Sequence, residues 1–105
     1  MASNKDYLEY ILEQLRLLDD IKYKPMMGEF LLYHKGKLFG GIYDNRLLVK
    51  KTDTNTIFNL SEAIPYDGAK TMYIVEDVDN AEAVKNIIIS TCKGLKWKFI
   101  LSKFR

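Results

Sequence analysis

The sequence predicts an α+β fold, a two-layer domain in which helices cover mainly one face of an antiparallel sheet. Three observations indicate this fold. An apolar stripe with helical spacing opens the chain, β-rich runs separated by tight-turn residues follow, and a second helical stripe with caps at both ends comes later. A chain of 105 residues that is 48% hydrophobic is long enough to build one domain around its own core.

The first predicted helix begins at Ser3, which suits the N-cap position, and carries Asp6 in its first turn, where the helix dipole favours an acid. Apolar side chains then recur every three or four residues and mark one buried face. They are Tyr7, Leu8, Ile11, Leu12, Leu15 and Leu18. The helix must end before Pro25, because proline lacks the backbone N–H that a helix interior requires.

A meander of three antiparallel strands is predicted next, over residues 30–33, 37–43 and 46–50. The dipeptides Lys35–Gly36 and Asp44–Asn45 separate these strands. Both dipeptides suit two-residue hairpin loops, because glycine, asparagine and aspartate tolerate the positive φ angles of such loops.

Two glycines, Gly40 and Gly41, lie inside the second of these strands. Glycine within a strand marks a bulge or a close approach by another backbone or side chain. A phosphate-binding loop is not supported, since "GKLFGG" matches neither glycine-rich phosphate signature and no helix cap follows it. We therefore expect the two glycines to leave room for a group packed against the strand.

The second half of the chain predicts a short helix within residues 51–62 and strands over residues 63–66 and 70–75. A final helix follows, with capping-box spacing over Asp79–Glu82 and Gly94 as its C′ residue. The resulting order of elements is α-β3-α-β2-α. The apolar residues after Gly94 fit helical and strand spacing equally well, so periodicity leaves both assignments open.

Catalytic and ligand-binding groupings are sparse. His34 is the only histidine and Cys92 the only cysteine, which excludes a histidine-based metal cluster and an internal disulfide. We expect His34 at an exposed strand end and Cys92 in the core as a small hydrophobe. The acidic group within residues 76–82 lacks the spacing of a calcium loop. The prediction is therefore no catalytic, cofactor-binding or metal-binding residue, with a small-molecule enzyme as the least favoured hypothesis.

Charge is unevenly distributed along the chain, with a balance of −4 over residues 1–82 and +6 over the residues after Glu82. No acidic residue follows Glu82, whereas the basic residues after it are Lys85, Lys93, Lys96, Lys98, Lys103 and Arg105. A solvated terminus is the favoured interpretation, and nucleic-acid binding through this basic region is the alternative. The start of the chain lacks the apolar run of a signal peptide, and no 18-residue apolar segment occurs, so we expect a cytoplasmic protein without a membrane partner.

The segment "KPMMGEFLLYHKGKLFGGIYDNRLLVK" resembles the signature of the TfoX (Sxy) N-terminal domain family. That signature combines a proline-methionine-glycine start with "LY", "GKxF" and "DxRLxxK". The matching residues in this chain are Pro25, Met26, Gly28, Leu32, Tyr33, Gly36, Lys37, Phe39, Asp44, Arg46, Leu47 and Lys50. The N-terminal helix and the strand and helix within residues 70–94 fit the family as well.

The resemblance implies a fold akin to type III secretion chaperones and a link to bacterial regulators of competence for DNA uptake. It divides the chain into a TfoX N-terminal-like domain over residues 1–94 and a basic aromatic tail over residues 95–105, which is part of the same domain or flexible. The family offers no catalytic residue to carry over. Full-length regulators have a second, helical domain for which this chain has no room, so a stand-alone regulatory or adaptor module is expected.

Strand alternation predicts apolar residues on both faces of the meander. Leu38 and Ile42 fall on one predicted face, and Phe39, Tyr43 and Leu48 fall on the other. An apolar second face indicates contact with the tail, with a second copy in a homodimer, or with an unknown protein partner. The candidate interaction surface is Phe39, Tyr43, Leu48, Lys96, Trp97 and Lys98.

Overall fold

The computed structural model describes residues 3–95, which form an α+β domain with a six-stranded antiparallel sheet and two helices. The helices are α1 (Lys5–Gln14) and α2 (Ala81–Gly94). The strands are β1 (Ile21–Met26), β2 (Glu29–His34), β3 (Lys37–Ile42), β4 (Leu47–Val49), β5 (Glu62–Ala63) and β6 (Met72–Val75), and a 3₁₀ turn covers Thr56–Phe58. The strands are ordered β1-β2-β3-β4-β6-β5 across the sheet.

Three two-residue loops join the first four strands. Met27–Gly28, Lys35–Gly36 and Asp44–Asn45 all have positive φ at both positions, which is the backbone that matches the twist of paired strands. The last two loops confirm the predicted turns. The first loop belongs to an additional hairpin, because β1 pairs with β2 although no strand was predicted there. Pro25 is compatible with β1 because this strand lies at the edge of the sheet.

A β-bulge in β3 reverses part of the predicted alternation. Leu32 pairs with Gly40 while Tyr33 pairs with Leu38, so Phe39 is the extra residue. The bulge turns Phe39 into the core cluster, where it is fully buried. It puts Leu38 on the same face as its pairing partner Tyr33. The predicted faces of Phe39 and Leu38 are therefore wrong, because an alternation counted along the sequence does not anticipate an inserted residue.

The core cluster joins buried side chains from both helices with one face of the sheet. Its helical members include Leu8, Ile11, Leu15, Val84, Ile87, Ile88 and Cys92, and its strand members include Leu32, Phe39, Ile42, Leu47, Val49 and Val75. Leu47 and Val49 lie two residues apart on β4, and their partners across the ladders fall on the same face. We call this side of the sheet the core face.

Both helices begin with an asparagine. Asn4, rather than the predicted Ser3, caps α1, since its side chain accepts from the backbone N–H of Tyr7 at 2.8 Å. Asn80, rather than Asp79 of the predicted capping box, caps α2 by accepting from the backbone N–H of Ala83 at 3.1 Å. Gly94 is the last residue of α2 rather than C′, and Leu95 takes the C-cap position.

The segment between β4 and β6 is less regular than predicted. Its helix is one 3₁₀ turn, and β5 has two residues. The observed order is therefore one helix, four strands, a 3₁₀ turn, two strands and one helix. Within residues 3–95, neither helix has the length and apolar character needed to cross a bilayer.

Candidate functional site

An open groove of about 910 Å³ lies on the sheet face opposite the core face. We call this side the groove face. Apolar and aromatic side chains supply most of its lining, among them Met26, Leu31, Leu38, Tyr43, Tyr66 and Met72. The strand register explains this grouping, because Leu31 pairs with Gly41, Gly41 pairs with Leu48, and Leu48 pairs with Ile74. The bulge brings Leu38 to the same face.

The paired glycines of β3 allow two different close approaches. A Cβ on Gly40 would collide with the Leu48 carbonyl oxygen and lie 2.8 Å from the Cα of Val49. A Cβ on Gly41 would lie 2.5 Å from the Phe30 carbonyl oxygen and 3.0 Å from the ring of Tyr43. Gly40 therefore lets β4 approach, and Gly41 makes room for an aromatic ring on the groove face. The expectation that these glycines accommodate a packed group is confirmed.

Tyr43 and Tyr66 form an aromatic pair beside the groove. Their ring centroids are 6.1 Å apart at an interplanar angle of 52°. Burial raises the pKa of the Tyr43 phenol, and the neighbouring Tyr66 raises it further. Tyr43 therefore remains a neutral hydrogen-bonding group well above neutral pH, whereas Tyr66 is 57% exposed and available for contact.

The wall of the groove comes from a distant part of the chain. Residues 65–72 contribute Pro65, Tyr66, Ala69, Lys70, Thr71 and Met72. Arg46 holds this wall to the meander, because its guanidinium donates to the carbonyl oxygens of Tyr43 at 3.1 Å and Ile64 at 3.2 Å. Arg46 is thus a positioning residue for the groove, and its role depends on a segment that begins nearly twenty residues later.

Among the residues that the structure describes, three lysines and no acidic residue border the groove. Lys51 forms an ion pair with Glu62, its Nζ lying 3.0 Å from a carboxylate oxygen, and donates a hydrogen bond to the Thr71 hydroxyl at 3.0 Å. Within residues 3–95, neither Lys50 nor Lys70 has a carboxylate within ion-pair distance. The groove therefore combines an apolar lining with a basic rim.

The structure places the proposed interaction residues differently from the prediction. Tyr43 and Leu48 lie on the groove face, as alternation predicts, but they are 5% and 0% exposed. Phe39 is in the core. None of these three residues offers an exposed side chain to a partner. Tyr43 and Leu48 lie beneath the groove, and Phe39 packs in the core cluster. Lys96, Trp97 and Lys98 lie outside the described residues.

Several residues of the TfoX-like motif form turns and edges. Gly28 and Gly36 have φ of 87° and 82°, and Asp44 has φ of 54°, so all three serve the hairpin loops. Pro25 lies in the edge strand β1. The spacing of this part of the motif thus follows from the geometry of three successive hairpins.

The other motif residues have side-chain roles. Met26 and Lys50 border the groove, and Tyr33 lies on the same face. Lys37 crosses to α2, where its Nζ donates to the Cys92 carbonyl oxygen at 3.2 Å. The Lys37 contact links the hairpins to α2, and the Arg46 contact links them to the segment that begins at Ile64.

A polar cluster at the start of α1 was not predicted. The Ser3 hydroxyl donates to a Glu29 carboxylate oxygen at 2.6 Å and accepts from the Asn45 backbone N–H at 2.9 Å. The same Glu29 oxygen accepts from the Asp44 backbone N–H at 3.1 Å. Residues separated by up to 42 positions meet here, and no local spacing could reveal them.

A smaller cavity of about 210 Å³ lies beside His34 and Cys92. His34 is 9% exposed, so the predicted exposed position is wrong, and its Nδ1 has no hydrogen-bond partner among the described residues. Cys92 is buried in the core as predicted. Burial raises the pKa of its thiol while Lys37 lowers it to a smaller extent. The neutral thiol therefore dominates at pH 7, which disfavours nucleophilic chemistry.

Two acidic residues at the start of α2, Asp79 just before it and Glu82 in its first turn, contact other side chains. The Tyr10 hydroxyl donates to Asp79, and this hydrogen bond raises the pKa of the phenol. A Glu82 carboxylate oxygen lies 3.7 Å from the Nζ of Lys85. This ion pair involves one lysine of the basic region that begins after Glu82. Among residues 3–95, no group of three histidine, cysteine or acidic side chains is arranged to hold a metal ion.

The fold and groove define an α+β domain with a six-stranded antiparallel sheet. No protein-family model matches the chain. The chain is 34% identical over 98 residues to the uncharacterized 12.7 kDa protein in the trpE 5′ region of Spirochaeta aurantia. The match covers 90% of this chain and 85% of that protein. The chain therefore belongs to the same family as the Spirochaeta aurantia protein.

Proposed function

We propose that this protein is a non-enzymatic regulatory or adaptor module of the TfoX N-terminal type that acts by protein contact through its groove face. The carrying observation is the open apolar groove on the face opposite the core. The proposal includes the finer architecture implied by the resemblance, a two-layer, secretion-chaperone-like domain with helices mainly on one face of the sheet. It also includes a role in regulating competence or transcription.

Exposure of apolar groups supports contact with a protein. Tyr66 is 57% exposed at one side of the groove, while Leu31, Leu38 and Met72 are half-buried within it. A contiguous apolar surface of this kind marks an interaction site more often than scattered single residues do. The Tyr66 ring combines an apolar body with a hydroxyl, a combination enriched at protein interfaces.

A second copy of the chain is one candidate protein partner, and light scattering distinguishes it. A homodimer would give twice the monomer mass, and Leu38→Asp would return it to the monomer by placing a charge in the apolar lining. A monomer that retains groove-dependent contact with another protein would support the adaptor form of the proposal.

Photo-crosslinking tests the proposed surface. The chain is produced in its native host with p-benzoylphenylalanine replacing Tyr66 in the groove, and separately replacing Ile57, which is 74% exposed outside it. We expect a discrete protein adduct from position 66 and none of comparable yield from position 57. Equal yields from both positions, or no adduct from position 66, would contradict the proposal.

The salt dependence of DNA affinity distinguishes this proposal from the alternative, nucleic-acid binding by the basic region after residue 84. Affinity for DNA would fall steeply as salt increases, because bound counterions are released when lysines neutralise phosphates. A titration with duplex DNA at low and moderate salt makes the comparison. DNA binding that survives Leu38→Asp and Tyr66→Ala, without any protein adduct, would favour nucleic acid as the partner.

A further inference from the structure

The rim of the groove carries positively charged lysines, whereas the core face is formed by buried apolar side chains. Lys50, Lys51 and Lys70 border the groove, and no acidic residue among the described residues lines it. In the same part of the chain, the Glu62 carboxylate forms an ion pair with Lys51. The other two, Lys50 and Lys70, line the groove together with apolar and aromatic residues. Their field favours an anionic group at the rim and disfavours a cationic one.

The shape of the groove favours an extended chain over a small ligand. Pockets for small molecules bury roughly 70–90% of the ligand surface, whereas this groove lies open along the sheet face. A peptide in extended conformation alternates its side chains, so that every second one can enter an apolar lining while those between them remain at the rim. Met26 and Met72 add flexible apolar surface that adapts to different side chains.

We propose that the groove binds an extended, acidic amphipathic segment of a partner protein, in which aliphatic or aromatic residues alternate with aspartate or glutamate. The apolar side chains would contact Leu31, Leu38 and Tyr66, and the carboxylates would face Lys50 and Lys70. This inference rests on the proposed function, since it specifies the partner of the same surface.

The charge argument disfavours the chain's own last residues as the occupant. The segment after Leu95 reads "KWKFILSKFR", which has apolar side chains of suitable size but carries four basic residues and no acidic side chain. Placing that segment against Lys50 and Lys70 would bring like charges together. An acidic segment has the apolar contacts without this repulsion.

Fluorescence anisotropy with a designed probe tests the inference. The probe is a labelled ten-residue peptide in which Leu or Phe alternates with Asp or Glu, and its control replaces every acid with Asn or Gln. The full-length chain is compared with Lys50→Glu/Lys70→Glu and with the matched control Lys5→Glu/Lys35→Glu. The control reverses the same number of charges at exposed lysines outside the groove.

We expect the groove reversal to weaken binding of the acidic probe by about tenfold or more, and the control reversal to change it by less than about twofold. The neutral peptide should bind the wild-type chain more weakly than the acidic probe. Lys50→Met/Lys70→Met provides a second variant without introduced repulsion, and it should weaken binding in the same direction. Circular dichroism confirms that each variant is folded.

Three results would overturn the inference. Equal weakening by the groove and control reversals would indicate general charge attraction, including attraction to the basic last residues. Unchanged binding after the groove reversal would remove Lys50 and Lys70 from recognition. Tighter probe binding by a chain ending at Leu95 would mean that the last residues occupy the groove.

Failure of the inference is distinguishable from failure of the proposed function. If the crosslinked adduct from position 66 persists in the Lys50→Glu/Lys70→Glu background, the groove still contacts a protein but not by acid recognition. If the wild-type chain gives no adduct from position 66, the contact function itself fails, whatever the peptide titration shows.

Discussion

On one face of the sheet, Leu47 and Val49 are buried in a cluster with side chains from both helices, whereas on the other face Leu31 and Leu38 border an open groove. The two faces are built from the same strands, and both carry apolar side chains. Their difference lies in what covers them. The core face buries most of the apolar cluster that stabilises the fold. The groove face retains partly exposed apolar side chains, and two of its lysines, Lys50 and Lys70, have no ion-pair partner within residues 3–95.

The largest expected loss of stability comes from a substitution in β3, where β4 packs closely against Gly40. Gly40→Ala would place a Cβ against the backbone of β4, and backbone atoms cannot move aside as a flexible side chain does. We expect a loss of about 4 kcal/mol or more in the free energy of unfolding, measured by urea denaturation.

Gly68→Ala is the matched control for this prediction. Gly68 has φ of +84° and open space around its Cβ position, so alanine there introduces backbone strain without collision and should cost about 1 kcal/mol. Equal losses in the two variants would contradict the close approach of β4 at Gly40.

A pair of leucine truncations compares the faces directly. Leu47 is 1% exposed in the core, so Leu47→Ala should cost about 2–5 kcal/mol through lost burial and a residual cavity. Leu38→Ala on the groove face should cost less than about 1.5 kcal/mol, because its side chain is already partly in water. Thermal and urea unfolding measure both losses. Similar costs would mean that the groove face is covered in solution.

A buried asparagine and a lysine at the groove rim extend the comparison of stability losses to polar residues. Asn55 is fully buried, and its amide donates to the Lys50 carbonyl oxygen and the Thr91 hydroxyl, each at 2.8 Å. Asn55→Ala should cost about 1–3 kcal/mol because it leaves these acceptors with fewer partners. Lys70→Ala at the groove rim should change stability by less than about 0.5 kcal/mol. A larger loss at Lys70 than at Asn55 would reverse the proposed division between the faces.

The smallest expected effect is a change in alkaline stability. Burial raises the pKa of Tyr43 in the folded protein, so folding favours the neutral phenol. Its contribution is fully present below about pH 10, the ordinary pKa of tyrosine, and is lost as pH rises through the raised value in the folded protein. Tyr43→Phe should therefore lose less stability above about pH 10 than the wild-type chain does. Identical alkaline profiles would show that Tyr43 is not shielded from solvent.

Local sequence signals predicted the hairpin loops and both helices well. Gly36 and Asn45 tolerate positive φ in the loops as predicted, whereas the helix caps are Asn4 and Asn80, one residue after the predicted Ser3 and Asp79. Strand β1 escaped prediction because "IKYKPM" lacks apolar alternation and contains proline, which an edge strand permits. Pattern alone therefore predicts elements that either bury a face or turn tightly, and misses an exposed edge.

The groove required information that sequence spacing does not contain. The bulge at Phe39 moved Leu38 to the groove face, and Arg46 meets the carbonyl oxygen of Ile64 only after the chain has folded. The apolar character of both strand faces did predict a second surface. Of the six residues proposed for it, Tyr43 and Leu48 do lie on that face but are buried, because alternation identifies a face but not how deeply each side chain lies in it.

The most direct test of the account is the yield of the protein adduct from p-benzoylphenylalanine at position 66, compared between the wild-type background and Leu38→Asp. Each sample is first shown to be folded by its urea midpoint. The account predicts that Leu38→Asp abolishes the adduct while lowering the free energy of unfolding by less than about 2 kcal/mol. An undiminished adduct from the folded Leu38→Asp protein would contradict the assignment of the groove face as the contact surface.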